Sequence, residues 1–422
     1  LHFDDFKFHP AIQAGLLANK YTTPTPIQEQ GIPPIREGKD IMGLAQTGTG
    51  KTAAFVLPIL ERLIDKKRGK IKALILAPTR ELAEQIDTSI RSLGRRTELR
   101  SATVYGGVGM GPQVRKLSGN SEIVVACPGR LLDHLHQRTI DLSQLEVLVI
   151  DEADCMLDMG FLPQIRRVID QIPRDRQTLL FSATMPETIK GLANDVLRDP
   201  TLIRIGHTMP ASTVTHALYP INSHLKTPLL LELLKEADNS VLIFTRTKHR
   251  AKRLAEQLDK LGYSTACLQG NLSQNQRQNS ISGFRSGQYK ILVATDIAAR
   301  GIDINGISHV INYDVPDTTD AYIHRIGRTG RAEHTGDAFT FITGEDAAMV
   351  RALERAINQQ IERRILPDFD YKAPPAPGAP AEQSDRRSFR PQSSSQGSRQ
   401  GAGGGGGGRR VAFAGGGGRS RG

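Results

Sequence analysis

The strongest constraint on this chain is an alternation of short apolar runs with helix-length stretches. Runs at 73–77, 122–126, 147–150 and 178–181 recur in the first half, and runs at 241–244, 291–294, 309–312 and 338–342 in the second. They are rich in Leu and β-branched residues, lack polar alternation, and end in polar or glycine-rich chain. Such runs form strands buried on both faces, as in parallel sheets covered by helices. The intervening segments, for example 80–91 and 248–261, space their apolar residues at helical intervals. Alternating strand and helix predicts an α/β, doubly wound parallel-sheet fold of the nucleotide-binding type. The pattern occurs twice, so two such domains are expected.

Length agrees, since 422 residues exceed one ordinary domain. The predicted division is a first domain at 1–206, a linker at 207–215, a second domain at 216–366 and a disordered tail at 367–422. The linker is polar, contains Pro210 and has no periodicity. The tail passes from Ala/Pro through Ser/Gln/Arg into glycine runs, a composition that cannot bury enough apolar surface to offset chain entropy. Net charge is +11, and residues 373–422 hold eight Arg against two acids, about +6 of it. The basic balance favours a polyanionic partner, nucleic acid or an acidic membrane surface. No apolar run approaches the ~18 residues of a membrane span. Cys127, Cys155 and Cys267 have neither CxxC nor metal-ligand spacing, which predicts reduced thiols. The opening Leu1-His2-Phe3-Asp4 is neither a signal nor a transit peptide and lacks an initiator Met. A cytoplasmic setting is the expectation.

Three motifs carry chemistry. Ala45-Gln46-Thr47-Gly48-Thr49-Gly50-Lys51-Thr52 approximates the phosphate loop GxxxxGK[ST], with Ala45 in place of the first Gly. Its glycines let backbone amides turn toward phosphate oxygens, Lys51 reaches the β- and γ-phosphates, and Thr52 suits Mg²⁺. The plainer alternative is a glycine turn before an ordinary helix. Asp151-Glu152-Ala153-Asp154 follows the buried run 147–150, where α/β sheets bind ligands. Asp151 suits a metal-bound water and Glu152 the attacking water, although acids there are also common as helix caps. His324-Arg325-Ile326-Gly327-Arg328-Thr329-Gly330-Arg331 sets three arginines among glycines, poor core material. Arginines from a second domain can stabilise a transferring phosphoryl group, whereas a solvated basic loop is the bland reading.

Further motifs follow in order: Pro78-Thr79-Arg80-Glu81-Leu82, Gly106-Gly107, Pro128-Gly129-Arg130, Ser182-Ala183-Thr184 and Arg300-Gly301-Ile302-Asp303. Upstream stand Phe3 and the stretch from Tyr21 to Gln28 (YTTPTPIQ). Together these resemble the DEAD-box RNA helicases of superfamily two over nearly all of residues 1–366. Within that family, the wording around 160–168 and the basic tail resemble the bacterial RhlE-like group.

The resemblance implies two tandem RecA-like domains and an RNA-stimulated ATPase that separates RNA duplexes locally or remodels RNA–protein complexes, with ATP and Mg²⁺ as cofactors. It implies Lys51, Asp151, Glu152, Arg328 and Arg331 as catalytic residues. ATP would be held by Phe3 stacking on adenine, Gln28 bonding its edge, Thr47, Gly48, Thr49, Gly50, Lys51 and Thr52 at the phosphates, and Asp303 near the ribose. Thr52 and Asp151 would hold Mg²⁺, partly through water. RNA would meet Thr79, Arg80, Gly107 and Arg130 in the first domain and Arg246, Arg277, Thr295 and Arg300 in the second. Asp154 would meet Gln274 and His324 across the closed cleft, and Ser182 and Thr184 would couple hydrolysis to strand separation.

The implied partners are single-stranded RNA and short duplexes, with no membrane, for a monomeric protein. Ribosomal precursors and RNA-decay proteins are both compatible with such a member. Cys127, Gln269-Gly270-Asn271 and Lys20 depart from the family's Thr, His-Gly-Asp and Gly, which bears on RNA affinity rather than catalysis. The Arg/Gly tail, with Phe389 and Phe413 interleaved, resembles flexible RNA-binding tails. Deleting 373–422 is expected to weaken RNA binding and flatten its salt dependence at unchanged saturated turnover. An unchanged salt slope would leave the tail a mere solubilising extension.

Overall fold

In a computed structural model of the chain, the described residues are 1–46, 48–205, 214–237, 240–299, 307–330 and 335–375. They form two seven-stranded sheets in which every strand pairing is parallel. The first comprises β1 (Ile41–Leu44), β2 (Ala73–Leu76), β3 (Ser101–Val104), β4 (Ile123–Ala126), β5 (Val147–Ile150), β6 (Gln177–Ser182) and β7 (Thr201–Arg204). Their spatial order is β3-β4-β2-β5-β6-β1-β7. The second comprises β8 (Val214–Pro220), β9 (Val241–Phe244), β10 (Thr265–Leu268), β11 (Ile291–Ala294), β12 (His309–Asn312), β13 (Gly336–Ile342) and β14 (Glu362–Arg363). These lie in the order β10-β11-β9-β12-β13-β8-β14.

The eight apolar runs all fall on strands because both sheet faces are covered. Ala73 and Ile75 of β2 enter one core cluster and Leu74 and Leu76 the opposite one. In β9, Leu242 and Phe244 point one way, Val241 and Ile243 the other. Each such Leu, Val or Ile contributes about 1.5–3 kcal/mol by leaving water. The other six strands, β1, β3, β7, β8, β10 and β14, escape the pattern. β7 and β10 have exposed or half-exposed positions, and β1 carries Gly43.

Two boundaries differ from expectation. The polar stretch predicts a linker over 207–215, yet Val214 and Thr215 already belong to β8, paired with Gly336 and Asp337 of β13. A single buried Val in a polar context gives no periodicity to read, although pairing recruits its backbone. The rest of that predicted linker lies outside the described residues.

The expected tail from 367 likewise begins later, since the compact unit runs Leu1–Pro374. Leu366, Phe369, Tyr371 and Ala373 pack on the second domain, with the Phe369 and Tyr371 rings edge-to-face at 4.9 Å. Averaging composition over the whole tail hides those two aromatics. Residues 376–422 lie outside the described residues. Among the described residues no helix is long and apolar enough to cross a membrane.

Candidate functional site

The loops that follow the strands' C-terminal ends build the site. After β1, Gly48 and Gly50 adopt φ values of 88° and 94°, opening the loop ahead of the helix Lys51–Leu63. Lys51 is 5% exposed; its Nζ donates to the Ala45 carbonyl at 2.9 Å and lies 3.9 Å from Asp151 Oδ1. Thr49 Oγ1 donates to the Gln46 carbonyl at 2.7 Å. Thr52 sits in the first helical turn. Thr47 lies outside the described residues.

Gln28 is buried, its Oε1 accepting from Thr25 N–H at 2.9 Å and its Nε2 donating to the Gly50 carbonyl at 3.1 Å. An amide has two lone pairs and two N–H groups, so one of each remains for a base edge. The same contacts explain Gly50. A Cβ there would lie 2.5 Å from Gln28 Nε2 and 2.8 Å from Thr25 Oγ1, at a φ side chains rarely adopt. Gly50→Ala is expected to cost about 1–3 kcal/mol through overpacking and to abolish detectable ATP binding. A thermal melt with a fluorescent ATP-analogue titration checks both, and wild-type affinity would sink the account.

Phe3 corrects an expectation. It is 2% exposed, packed against Phe6 and Tyr21 with ring centroids 5.9 and 5.4 Å away. That ring has no free face to offer a base; it braces Tyr21, and the Phe3 backbone N–H donates to the Thr22 carbonyl at 3.0 Å.

At the end of β5, Asp151 is 2% exposed and accepts the Glu152 N–H at 2.9 Å. Burial pushes its carboxyl up to about 6, with Lys51 pulling it down and Glu152 and Asp154 pushing it up. The buried Asp151 carboxylate and the Thr52 hydroxyl in the first turn of the helix Lys51–Leu63 are hard oxygen donors of the kind that suit Mg²⁺, a cation that keeps most of its waters. Glu152 is buried at φ 50°. A non-glycine residue held there costs on the order of 1–3 kcal/mol, a strain typical of working sites. Asp154 Oδ2 accepts from Ala183 N–H and Thr184 N–H, both at 3.0 Å, and from Thr184 Oγ1 at 3.3 Å. The Ser182–Thr184 segment is thereby tied directly to the acidic motif. Ser182 itself is fully buried and its Oγ has no hydrogen-bond partner among the described residues.

The second domain faces this assembly. Lys51, Glu152, Asp154 and Thr184 line one cavity of about 240 Å³ together with His324 and Arg328. Arg331 and Asp303 lie outside the described residues. Gln274, expected beside Asp154, instead donates to Glu81 Oε1 at 3.3 Å, because it opens the helix Gln274–Arg285 above the Pro78–Leu82 motif.

Arg277 corrects its RNA assignment in the same way. Its Nε meets Glu81 Oε1 at 2.6 Å and its Nη2 the Ala298 carbonyl at 2.6 Å, so a mostly buried carboxylate holds it across the two domains. Glu81 stands in the first turn of the helix Arg80–Leu93, and only the fold reveals its partner. Glu81→Gln is expected to raise the RNA concentration for half-maximal ATPase about tenfold, the loss of ~1.4 kcal/mol of closure. An RNA titration of turnover reads it, and an unshifted midpoint would make the pair incidental.

The other expected RNA residues are placed as follows. Thr79 is buried and caps the helix Arg80–Leu93 through Leu82 N–H at 3.3 Å. Arg80 lies over the Tyr105 ring at 4.5 Å, with Nη1 enclosed and lacking an acceptor among the described residues. Gly107 has φ 78°. Arg130 donates to the Val108 carbonyl at 2.8 Å, bracing the Gly106-Gly107 loop. Arg246 is half exposed at the end of β9, near Asp317 at 3.5 Å. Thr295 follows β11, and Arg300 lies outside the described residues. At Cys127, burial and then Glu81 push the thiol up to about 12, so it stays neutral beside these groups.

Sequence reasoning also misjudged Arg325, taken for poor core material. It is 3% exposed and makes four hydrogen bonds among the ends of β9, β11 and β12.

The DEAD/DEAH box helicase family profile matches residues 25–192, and the helicase conserved C-terminal domain profile matches 225–333. The chain is 42% identical over 370 residues to the DEAD-box ATP-dependent RNA helicase RhpA of Helicobacter pylori, covering 87% of this chain and 75% of RhpA. It is 40% identical over 370 residues to CshA of Bacillus subtilis, with 87% and 75% covered. Among solved structures it resembles S. cerevisiae Dbp5 bound to RNA and ADP BeF3, with TM-score 0.79, 31% identity, and 86% of this chain and 95% of that one covered. Against Dbp5 bound to nup159, gle1, ip6 and adp the TM-score falls to 0.61.

Proposed function

The chain belongs to the DEAD-box ATP-dependent RNA helicases, and on that premise we propose how its residues divide the work. Closure of the two RecA-like domains around ATP and one RNA strand drives local, non-processive separation of duplexes or remodelling of RNA–protein complexes. The reading rests on one observation: Lys51, Glu152, Asp154, Thr184, His324 and Arg328, drawn from both domains, line a single cavity.

Gln28 reads the adenine edge, and a base with the wrong donor–acceptor pattern leaves its buried amide unpaired. Lys51 exchanges its bond to the Ala45 carbonyl for the phosphates. Thr52 and Asp151 would hold Mg²⁺, partly through water, and the ion would supply charge neutralisation for the phosphates. Glu152 orients a water against the γ-phosphorus and takes its proton as the bond to the leaving oxygen breaks. Arg328 and Arg331 stabilise the charge spread over the transferring group. By the family's pattern the ribose would fall to Asp303.

On the RNA side, Arg80, Gly107, Arg130, Arg246, Thr295 and Arg300 meet the backbone, and such contacts fix register without reading sequence. Asp154, through Thr184 and His324, makes domain closure and the chemistry one event. The protein acts as a cytoplasmic monomer, attributes that cell fractionation and light scattering check. The likeness around 160–168 and in the basic tail supports an RhlE-like member.

The deciding experiment is steady-state ATP hydrolysis by the intact chain with and without structureless RNA, with DNA of the same sequence as competitor. RNA-specific stimulation is expected. Equal stimulation by DNA would overturn the RNA assignment, and ATP-dependent RNA binding without stimulated turnover would make the protein a clamp.

A further inference from the structure

Arg325 sits inside the second domain with almost every donor committed. Its Nε and Nη2 grip Asp296 Oδ1 and Oδ2 at 2.6 and 2.7 Å, a two-pronged fork. Its Nη1 donates to the Asp314 carbonyl at 2.7 Å and to Asn312 Oδ1 at 3.1 Å, and its guanidinium lies 5.0 Å from the Phe244 ring centre. Phe244 ends β9, Asp296 follows β11, and Asn312 ends β12. One side chain thus gathers the C-terminal ends of three strands. It does so from the helix Thr319–Ile326, which carries His324 and leads into Arg328.

Each gathered end also bears on RNA-side groups. Asp314 is buried, and its Oδ2 accepts the Arg246 N–H at 2.9 Å. Its Oδ1 accepts from Arg250 at 2.6 Å and Lys226 at 3.2 Å. Asp296 follows Thr295 and opens the turn Asp296–Ala299, whose Ala298 carbonyl takes Arg277 Nη2, itself paired with Glu81 of the first domain. A cavity of about 20 Å³, room for one water, lies between Asp296, His324, Arg325 and Arg328, so the second arginine is not packed solid against the first.

Burying a guanidinium costs several kcal/mol unless its hydrogen bonds are made, and an apolar residue would hold a helix to a sheet without that cost. What the ion pair adds is directional: it permits one placement of the helix relative to Asp296 and Asp314. We propose that Arg325 is a positioning residue that couples RNA contact at the Thr295–Asp296 and Asp314–Arg246 segments to the placement of His324 and Arg328 at the nucleotide. RNA pressing on those segments shifts Asp296 and Asp314, and the fork transmits the shift to the helix. The inference rests on the helicase reading above and names the residue through which RNA would govern its hydrolysis.

Asp296→Asn and Arg325→Lys in the full chain test it. Asn keeps the size of Asp but loses its charge, and Lys cannot reproduce the fork. The readout is the ratio of RNA-saturated to RNA-free ATP turnover, beside KM for ATP and melting temperature. Typical couplings are about 5- to 150-fold, so the ratio is expected to fall about tenfold or more, with RNA-free turnover and KM for ATP within about twofold. An unchanged ratio in both variants overturns the proposal, as does a proportional fall in RNA-free and RNA-saturated turnover, which marks a general structural or catalytic role. Should Arg325→Lys melt below the assay temperature, Asp296→Asn decides alone. A wild-type ratio of one would instead sink the helicase reading itself, an outcome distinct from either.

Discussion

In a Glu152→Gln variant, ATP turnover at saturating RNA is expected to fall about 10²- to 10⁴-fold, the usual contribution of a positioned general base. The substitution replaces one oxygen by an NH₂ of nearly the same size, so the buried, left-handed position of residue 152 is kept at the same conformational cost. Asp151 keeps its hydrogen bond from residue 152, which comes from the backbone N–H and not the side chain. ATP binding and ATP-dependent RNA binding should therefore survive while hydrolysis stops, leaving a complex that holds RNA. Turnover and RNA retention measured on one preparation check this. Loss of less than about threefold would remove Glu152 from the chemistry.

Arg328→Lys is expected to lower RNA-stimulated turnover about 10³-fold, the lower end of what arginine fingers contribute. Arg328 is 8% exposed and lines the same cavity as Glu152 and Lys51, from the opposite domain. A lysine keeps the charge and loses the planar fork that can meet two phosphoryl oxygens together. If that fork acts on the transition state, kcat falls and KM for ATP moves little. A rise in KM that accounts for the whole loss would instead make Arg328 a ground-state contact.

The two variants probe opposite walls of one cavity, and their residues were legible to different degrees. Glu152 and Lys51 sit in motifs whose local geometry suffices: a glycine loop after a buried strand, and acids at a strand's end. Arg328 is singled out as a finger only through the family resemblance, since residue type alone does not separate it from Arg325 three residues earlier. Arg325 lies within the helix Thr319–Ile326 and turns into the domain, whereas Arg328 lies beyond its C-cap Gly327 and lines the cleft, and only the packing around Asp296, Asn312 and Asp314 reveals it. Phe3 and Arg277 failed for the same reason. Each has the residue type a ligand would want, and each is taken by a protein partner distant in sequence.

What the sequence determined by itself is whatever short-range physics dictates: strands that must be buried on both faces, glycines required at positive φ, and the order of motifs along two repeated domains. What the tertiary structure alone decided is how competing polar groups were assigned. Glu81 went to Arg277 and Gln274, Asp154 to the Ala183–Thr184 amides, and Gln28 to Gly50. The physical reason is that a buried charge or amide must find a partner, and many are within reach of the chain until folding leaves one close enough to bond.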